Sequence, residues 1–178
     1  MQSESVDDAS ENRRGAPLRP VRIQWLVVLA LCAVPMTLVP STPGVTVVTL
    51  WGFLTVDTAA AGLDISGYPV WRYFLDQPRP FDTLPASIQA WPLAVGFHVL
   101  AAGSATSGVI LRREDRRLTG GLLVLAAVAS LWVSVGVATR FGVGSTTGWF
   151  SVLPIGALVT LAVVGVGYRH DLRRIVVP

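Results

Sequence analysis

Long uncharged apolar stretches alternate along the chain with short arginine-bearing segments. Four stretches, 23–40, 90–111, 118–139 and 149–168, contain no Asp, Glu, Lys or Arg. At about 1.5 Å of rise per residue the first covers roughly 27 Å as a helix, a little short of a ~30 Å hydrocarbon core, and the others reach it. Trp25, Trp91 and Trp149 stand near the starts of three of them, where an indole suits a membrane–water interface. Pro35 lies inside the first stretch and Pro92 in the opening turn of the second. Lipid tolerates a proline inside a helix, with a kink. In a first turn the missing N–H is not needed.

The polar pattern fills in the rest. Residues 1–22 begin acidic and turn basic, and Pro17 and Pro20 interrupt them; they predict a disordered cytoplasmic tail. Residues 43–89 are mixed. Val45 to Val56 is apolar and rich in β-branched side chains, Asp57 and Asp64 follow, and an aromatic amphipathic run around Trp71, Tyr73 and Phe74 precedes Pro78, Pro80 and Pro85. The uncharged part is about 12 residues, too short to span. An extracytoplasmic interfacial cap over 43–89 is therefore preferred to a fifth span. The resulting expectation is an all-α fold: an integral membrane four-helix bundle with both termini cytoplasmic and the cap between spans one and two.

Composition supports this picture. The chain is 52% hydrophobic and 14% charged, against about 45–50% and about 25% for soluble domains. All 14 basic residues are arginines. Arg13, Arg14, Arg19, Arg22, Arg112, Arg113, Arg116, Arg117, Arg169, Arg173 and Arg174 fall on one face of a four-span topology, leaving Arg72, Arg79 and Arg140 on the other. That asymmetry marks the richer face as cytoplasmic, and a fifth span would erase it. Arginines that flank apolar runs, instead of gathering in one patch, argue against nucleic acid as a partner. The single cysteine, Cys32, forms no internal disulfide, and Leu31 before it excludes a lipoprotein signal. A cleaved leader is disfavoured because Val39-Pro40-Ser41-Thr42-Pro43 offers no small-residue cleavage site.

Chemistry-bearing residues are sparse. His98 is the one conventional titratable group well inside a span, and such a residue is a functional candidate by default; the plainer expectation is a neutral imidazole bonded to a seam hydroxyl or a carbonyl. Rows of small residues, Ala101/Ala105, Gly103/Ser107, Ala126/Ser130/Ser134 and Gly156/Thr160, predict helix seams. Arg112, Arg113, Arg116 and Arg117 suit anionic lipid head groups, with Glu114 and Asp115 expected to pair with neighbouring arginines. Arg72, Asp76, Arg79 and Asp82 predict ion pairs within the cap. No nucleotide-binding glycine loop, HExxH, CxxC or G-x-S-x-G occurs, so no catalytic residue, cofactor or metal site is assigned.

Three short signatures carry a resemblance. They are Ala90-Trp91-Pro92 opening a span, Arg113-Glu114-Asp115-Arg116-Arg117 in the loop, and Leu118-Thr119-Gly120-Gly121-Leu122-Leu123-Val124-Leu125-Ala126 after it, with Tyr73-Phe74-Leu75 upstream. Over about the last half of the chain this resembles a family of small multi-pass membrane proteins of halophilic archaea with no assigned activity. The resemblance implies a location and an architecture. The expected role is a non-enzymatic accessory or subunit protein, binding a membrane partner or a second copy through helix association. The alternative is a small transporter or channel lined by Ser104, Thr106, Ser107, Ser130, Ser134, Thr139 and Thr160, with His98 as its gate.

Overall fold

The computed structural model describes residues 19–171 apart from 42–43, 59–61, 77, 79, 112–114 and 141–151. The elements run α1 (Arg19–Leu31), β1 (Thr37–Ser41), β2 (Gly44–Thr49), β3 (Gly52–Asp57), β4 (Asp64–Pro69), α2 (Val70–Leu75), a 3-10 turn (Phe81–Thr83), α3 (Ala86–Gln89), α4 (Trp91–Leu111), α5 (Arg116–Arg140) and α6 (Ile155–Gly167). The expected all-α fold is corrected: a four-stranded antiparallel sheet in the order β1-β2-β3-β4 stands between the first and second apolar helices, and the architecture is mixed α/β.

Two prolines explain the first boundary shifts. A proline ring clashes with the carbonyl four residues before it. For Pro35 that is the carbonyl of Leu31, the last residue of α1. The apolar stretch 23–40 is therefore not one helix: it continues as a turn and then enters β1. Pro20 sits in the first turn of α1, where it is harmless, so the helix begins at Arg19 inside the segment expected to be tail. The last helix also starts late, at Ile155, because Leu153 is bridged to Leu38 by reciprocal backbone bonds of 3.1 Å.

The sheet forms where β-branched residues alternate with hydroxyls. Thr37, Val48, Phe53 and Tyr68 form one cross-strand row, and Val39, Thr46, Thr55 and Ser66 another on the same face. The opposite face carries the rows Leu38–Val47–Leu54–Gly67 and Pro40–Val45–Val56–Ile65. The two-residue turn Leu50-Trp51 joins β2 to β3, and Thr49 Oγ1 donates to the Gly52 carbonyl at 2.9 Å. Gly52 has φ +147°, and a Cβ there would press on the Tyr68 carbonyl and lie 2.8 Å from Pro69 Cα. Both features require glycine.

Four apolar helices form a layer beneath the sheet. α1 packs on α4 and α6, and α5 packs on the same two. Val28, Leu31, Ala101, Ala102, Ala105, Leu123, Val164 and Tyr168 fill the middle. A second core, with Met36, Val39, Val48, Leu50, Trp91, Val133, Val137 and Val152, joins helices to sheet. The start of α6 lies close on the first strand: a Cβ on Gly156 would come within 2.8 Å of Met36 Cα.

Candidate functional site

Small and polar side chains share the interior of the helix layer with a few large apolar ones. α4 buries Ala94, His98, Ala101, Ala102, Ala105 and Gly108 besides Trp91. α5 buries Thr119, Ala126, Ala127, Ser130 and Ser134 beside Leu123, Val133 and Val137, and α6 buries Gly156, Ala157 and Thr160 beside Val164. The rows Ala101/Ala105, Ala126/Ser130/Ser134 and Gly156/Thr160 thus pack within this chain, whereas Gly103 faces outward. Other large apolar side chains point the other way: Leu93, Leu100, Ile110, Val128, Leu158 and Val166 are each more than half exposed.

Most of the polar residues expected to line a path bond within their own helix or to a neighbouring element. His98 is buried, and its Nδ1 lies 2.8 Å from the Ala94 carbonyl one turn back, the arrangement of an Nδ1–H donor to backbone. Ser104 bonds Thr119 at 2.8 Å, and Ser107 donates to the Ser104 carbonyl at 2.8 Å. Thr106 donates to the Ala102 carbonyl and accepts from Trp25 Nε1 at 2.9 Å. Trp25 therefore ties α1 to α4. Ser134 donates to the Ser130 carbonyl and meets Thr37 of β1, and Thr139 donates to the Gly136 carbonyl. Local bonds of this kind satisfy hydroxyls inside helices. Ser130 Oγ is buried with no hydrogen-bond partner among the described residues.

Polar chemistry gathers at the end of the layer away from the sheet. Asp115 Oδ1 accepts from the backbone N–H groups of Arg117 and Leu118 at 3.0 and 3.2 Å. It caps α5, where two orphan donors of the first turn point at it. Arg116 reaches across the layer. Its Nε donates to Asp171 Oδ2 at 2.9 Å, Nη1 to Gln24 Oε1 at 2.8 Å and Nη2 to the Gly167 carbonyl at 2.8 Å, while Cζ sits 5.5 Å from the centre of the Tyr168 ring. A cation at the first turn of its own helix is unfavourable, and at the carbonyl end of another it is favourable. Arg116 resolves that conflict by serving α6. Its guanidinium is engaged within the chain, Arg117 is exposed, and Arg112, Arg113 and Glu114 lie outside the described residues.

The opposite end is aromatic. Trp91, expected at an interface, is fully buried beneath the sheet, and its Nε1 donates to the Leu50 carbonyl at 3.1 Å. Phe53 meets its ring edge-on at 5.0 Å, with Tyr73 and Phe74 at 6.0 and 6.4 Å. In the cap, Asp76 accepts from the Tyr68 hydroxyl at 2.8 Å, and Asp82 offers its backbone carbonyl to Gln89; Arg79 lies outside the described residues. The Tyr68 bond raises the phenol's pKa above its ordinary value, with desolvation and the Asp76 charge adding to it. Among the described residues no three His, Cys, Asp or Glu side chains are grouped to hold a metal ion.

Four apolar helices carrying an antiparallel meander at one end define the architecture. A family model described as a domain of unknown function, DUF8050, matches residues 4–177, and the chain belongs to that family. No curated protein matches it.

Proposed function

We propose that this is a multi-pass membrane protein that acts by association, with its helix layer in the bilayer, the meander on the outer side and both chain ends cytoplasmic. One observation carries the reading: the helix layer leaves large apolar side chains on its outer surface. Leu93, Leu100, Ile110, Val128, Leu158 and Val166 face out, around an interior in which Ala, Gly, Ser and Thr accompany Val28, Leu31, Leu123, Val133, Val137 and Val164. Water would penalise such a surface at roughly 25 cal/mol per Å²; lipid does not. In lipid, close helix approach through small residues supplies the packing instead. Two helical segments, Ala86–Leu111 and Arg116–Thr139, are long and apolar enough to cross, and in the first only 33% of the most apolar window is buried within the chain. A soluble core helix would be buried on most of its surface. The arginine asymmetry supports the orientation, and the start of α1, the start of α5 and the end of α6 gather at the Arg116 end.

Association is preferred to transport because the hydroxyls of Ser104, Thr106, Ser107, Ser134 and Thr139 are engaged in bonds within the chain. Alkaline extraction of membranes is expected to leave the chain in the pellet, with release only by detergent. Cross-linking in those membranes is expected to give a discrete species above the 19.0 kDa monomer. A chain dissolved and monodisperse without detergent overturns the location; a chain that stays monomeric in membranes overturns the association.

A further inference from the structure

The outward sheet face is uncharged where a polar one would be expected. Leu38, Val45, Val47, Leu54, Val56 and Ile65 share it, and Val45, Leu54 and Ile65 are 37%, 39% and 58% exposed. Across the sheet, Thr46, Thr55 and Ser66 occupy the other side. Along β3 and β4 the first charges are Asp57 and Asp64, beyond the second apolar row.

The helix lengths say what covers this face. α6 has 13 residues, and the uncharged part of α1, Ile23–Leu31, has nine; these give about 20 Å and about 14 Å of helix against a ~30 Å hydrocarbon core. Their other ends are pinned together, since Arg116 holds both Gln24 and Gly167. The shortfall therefore falls on the sheet side. There Trp51 Nε1 donates to the Cys32 carbonyl just past α1, and Leu153 just before α6 is bridged to Leu38. Two rows on one strand face cover about 7 Å, part of the missing height. The outer edge of β1 is closed by Leu153, whereas β4 is an edge strand, which hydrocarbon itself would not admit but the hydrated headgroup–acyl boundary does. The exposed indoles of Trp51 and Trp71 flank the junction, as they do at a membrane boundary.

We infer that the Leu38–Ile65 face of the sheet lies against lipid at the outer headgroup–acyl boundary, adding to the apolar height of α1 and α6. The occupant is bilayer lipid, and the depth is that of an interfacial element, about 5–10 Å. This rests on the membrane reading above.

Spin labels test it in the full chain, in a Cys32→Ala background, reconstituted in phosphatidylcholine–phosphatidylglycerol vesicles. Labels go on Leu54→Cys and Val56→Cys of the outward face, on Thr55→Cys of the other, and on Leu125→Cys of α5 as the lipid standard. The quantity read is the ratio of collisions with oxygen to collisions with a water-soluble nickel chelate. The outward labels are expected to give ratios severalfold above Thr55→Cys and close to Leu125→Cys. Outward labels that match Thr55→Cys while Leu125→Cys stays lipid-like overturn the sheet placement alone. A water-like Leu125→Cys overturns the membrane reading itself. Outward labels shielded from both reagents and broadened by spin–spin coupling assign the face to a second copy and overturn the lipid assignment. Two outward positions keep the outcome readable if one substitution impairs folding.

Discussion

At one end of the helix layer a single guanidinium holds α1, α5 and α6 through four named partners; at the other, one indole lies beneath a sheet among Phe53, Tyr73 and Phe74. The first joins α1, α5 and α6; the second packs α4 and α5 against the sheet and α2, by opposite means. The Arg116 side chain is 39% exposed, so its bonds compete with water and are screened by salt. Trp91 is fully buried, and its one polar atom is satisfied by Leu50. The charged end fixes which helix ends meet, because each N–H needs a particular acceptor. The aromatic end supplies more of the stability, because burial scales with area.

The largest expected effect tests the aromatic end. Trp91→Ala removes a fully buried ring that supports both layers and lowers unfolding free energy by about 3–5 kcal/mol, measured by denaturant titration in detergent micelles. A loss no greater than that of Arg116→Ala would break the comparison. Next comes Arg116→Ala, with an expected loss of about 1–2 kcal/mol after allowance for solvent. The difference from the wild type should shrink in high salt, and Arg116→Lys should restore only part of it because an ammonium lacks the planar fork. A loss indifferent to salt would mean that packing on the Tyr168 ring outweighs the ion pair.

The smallest effect lies in the exposed cap. The Tyr68 pKa is raised in the folded chain, chiefly by the hydrogen bond to Asp76. Its protonated form is therefore the one the fold favours. The contribution is fully present below the ordinary tyrosine pKa and is lost as pH rises through the folded value. Ultraviolet titration of the wild type against Tyr68→Phe should assign a phenol that ionises above the usual range, and Asp76→Ala should return it towards that range. An unchanged Tyr68 titration in Asp76→Ala would remove the hydrogen bond as the cause.

Much of the helical layer was legible. The stretches 90–111 and 118–139 correspond within two residues to α4 and α5, because a long uncharged run has few other conformations. Three features were not read correctly. Pro35 reads locally as a kink within a span, although its clash with the Leu31 carbonyl ends the helix. The β signal was present in alternation: apolar at Val45, Val47, Leu54 and Val56, hydroxyl at Thr46 and Thr55. It was masked because the same segment also reads as a short apolar run, and length was used where period decides. Trp91 was placed at an interface by its position at the end of a span, and no local signal reveals a sheet folding over it. The role of Arg116 was equally hidden, since it depends on which helix ends are neighbours, whereas the cap made by Asp115 is local to its own helix.

By itself the sequence determined where apolar runs begin and end, how arginines divide between them, and which residues are small enough to let helices approach; these are local properties, fixed by side-chain chemistry and spacing. Only the tertiary structure decided that Arg116 serves a helix it does not belong to, that Trp91 is roofed by Leu50, and that one sheet face is left apolar and outward. Each of those depends on contacts between segments far apart in the chain, and such contacts are set by packing, which no single stretch encodes.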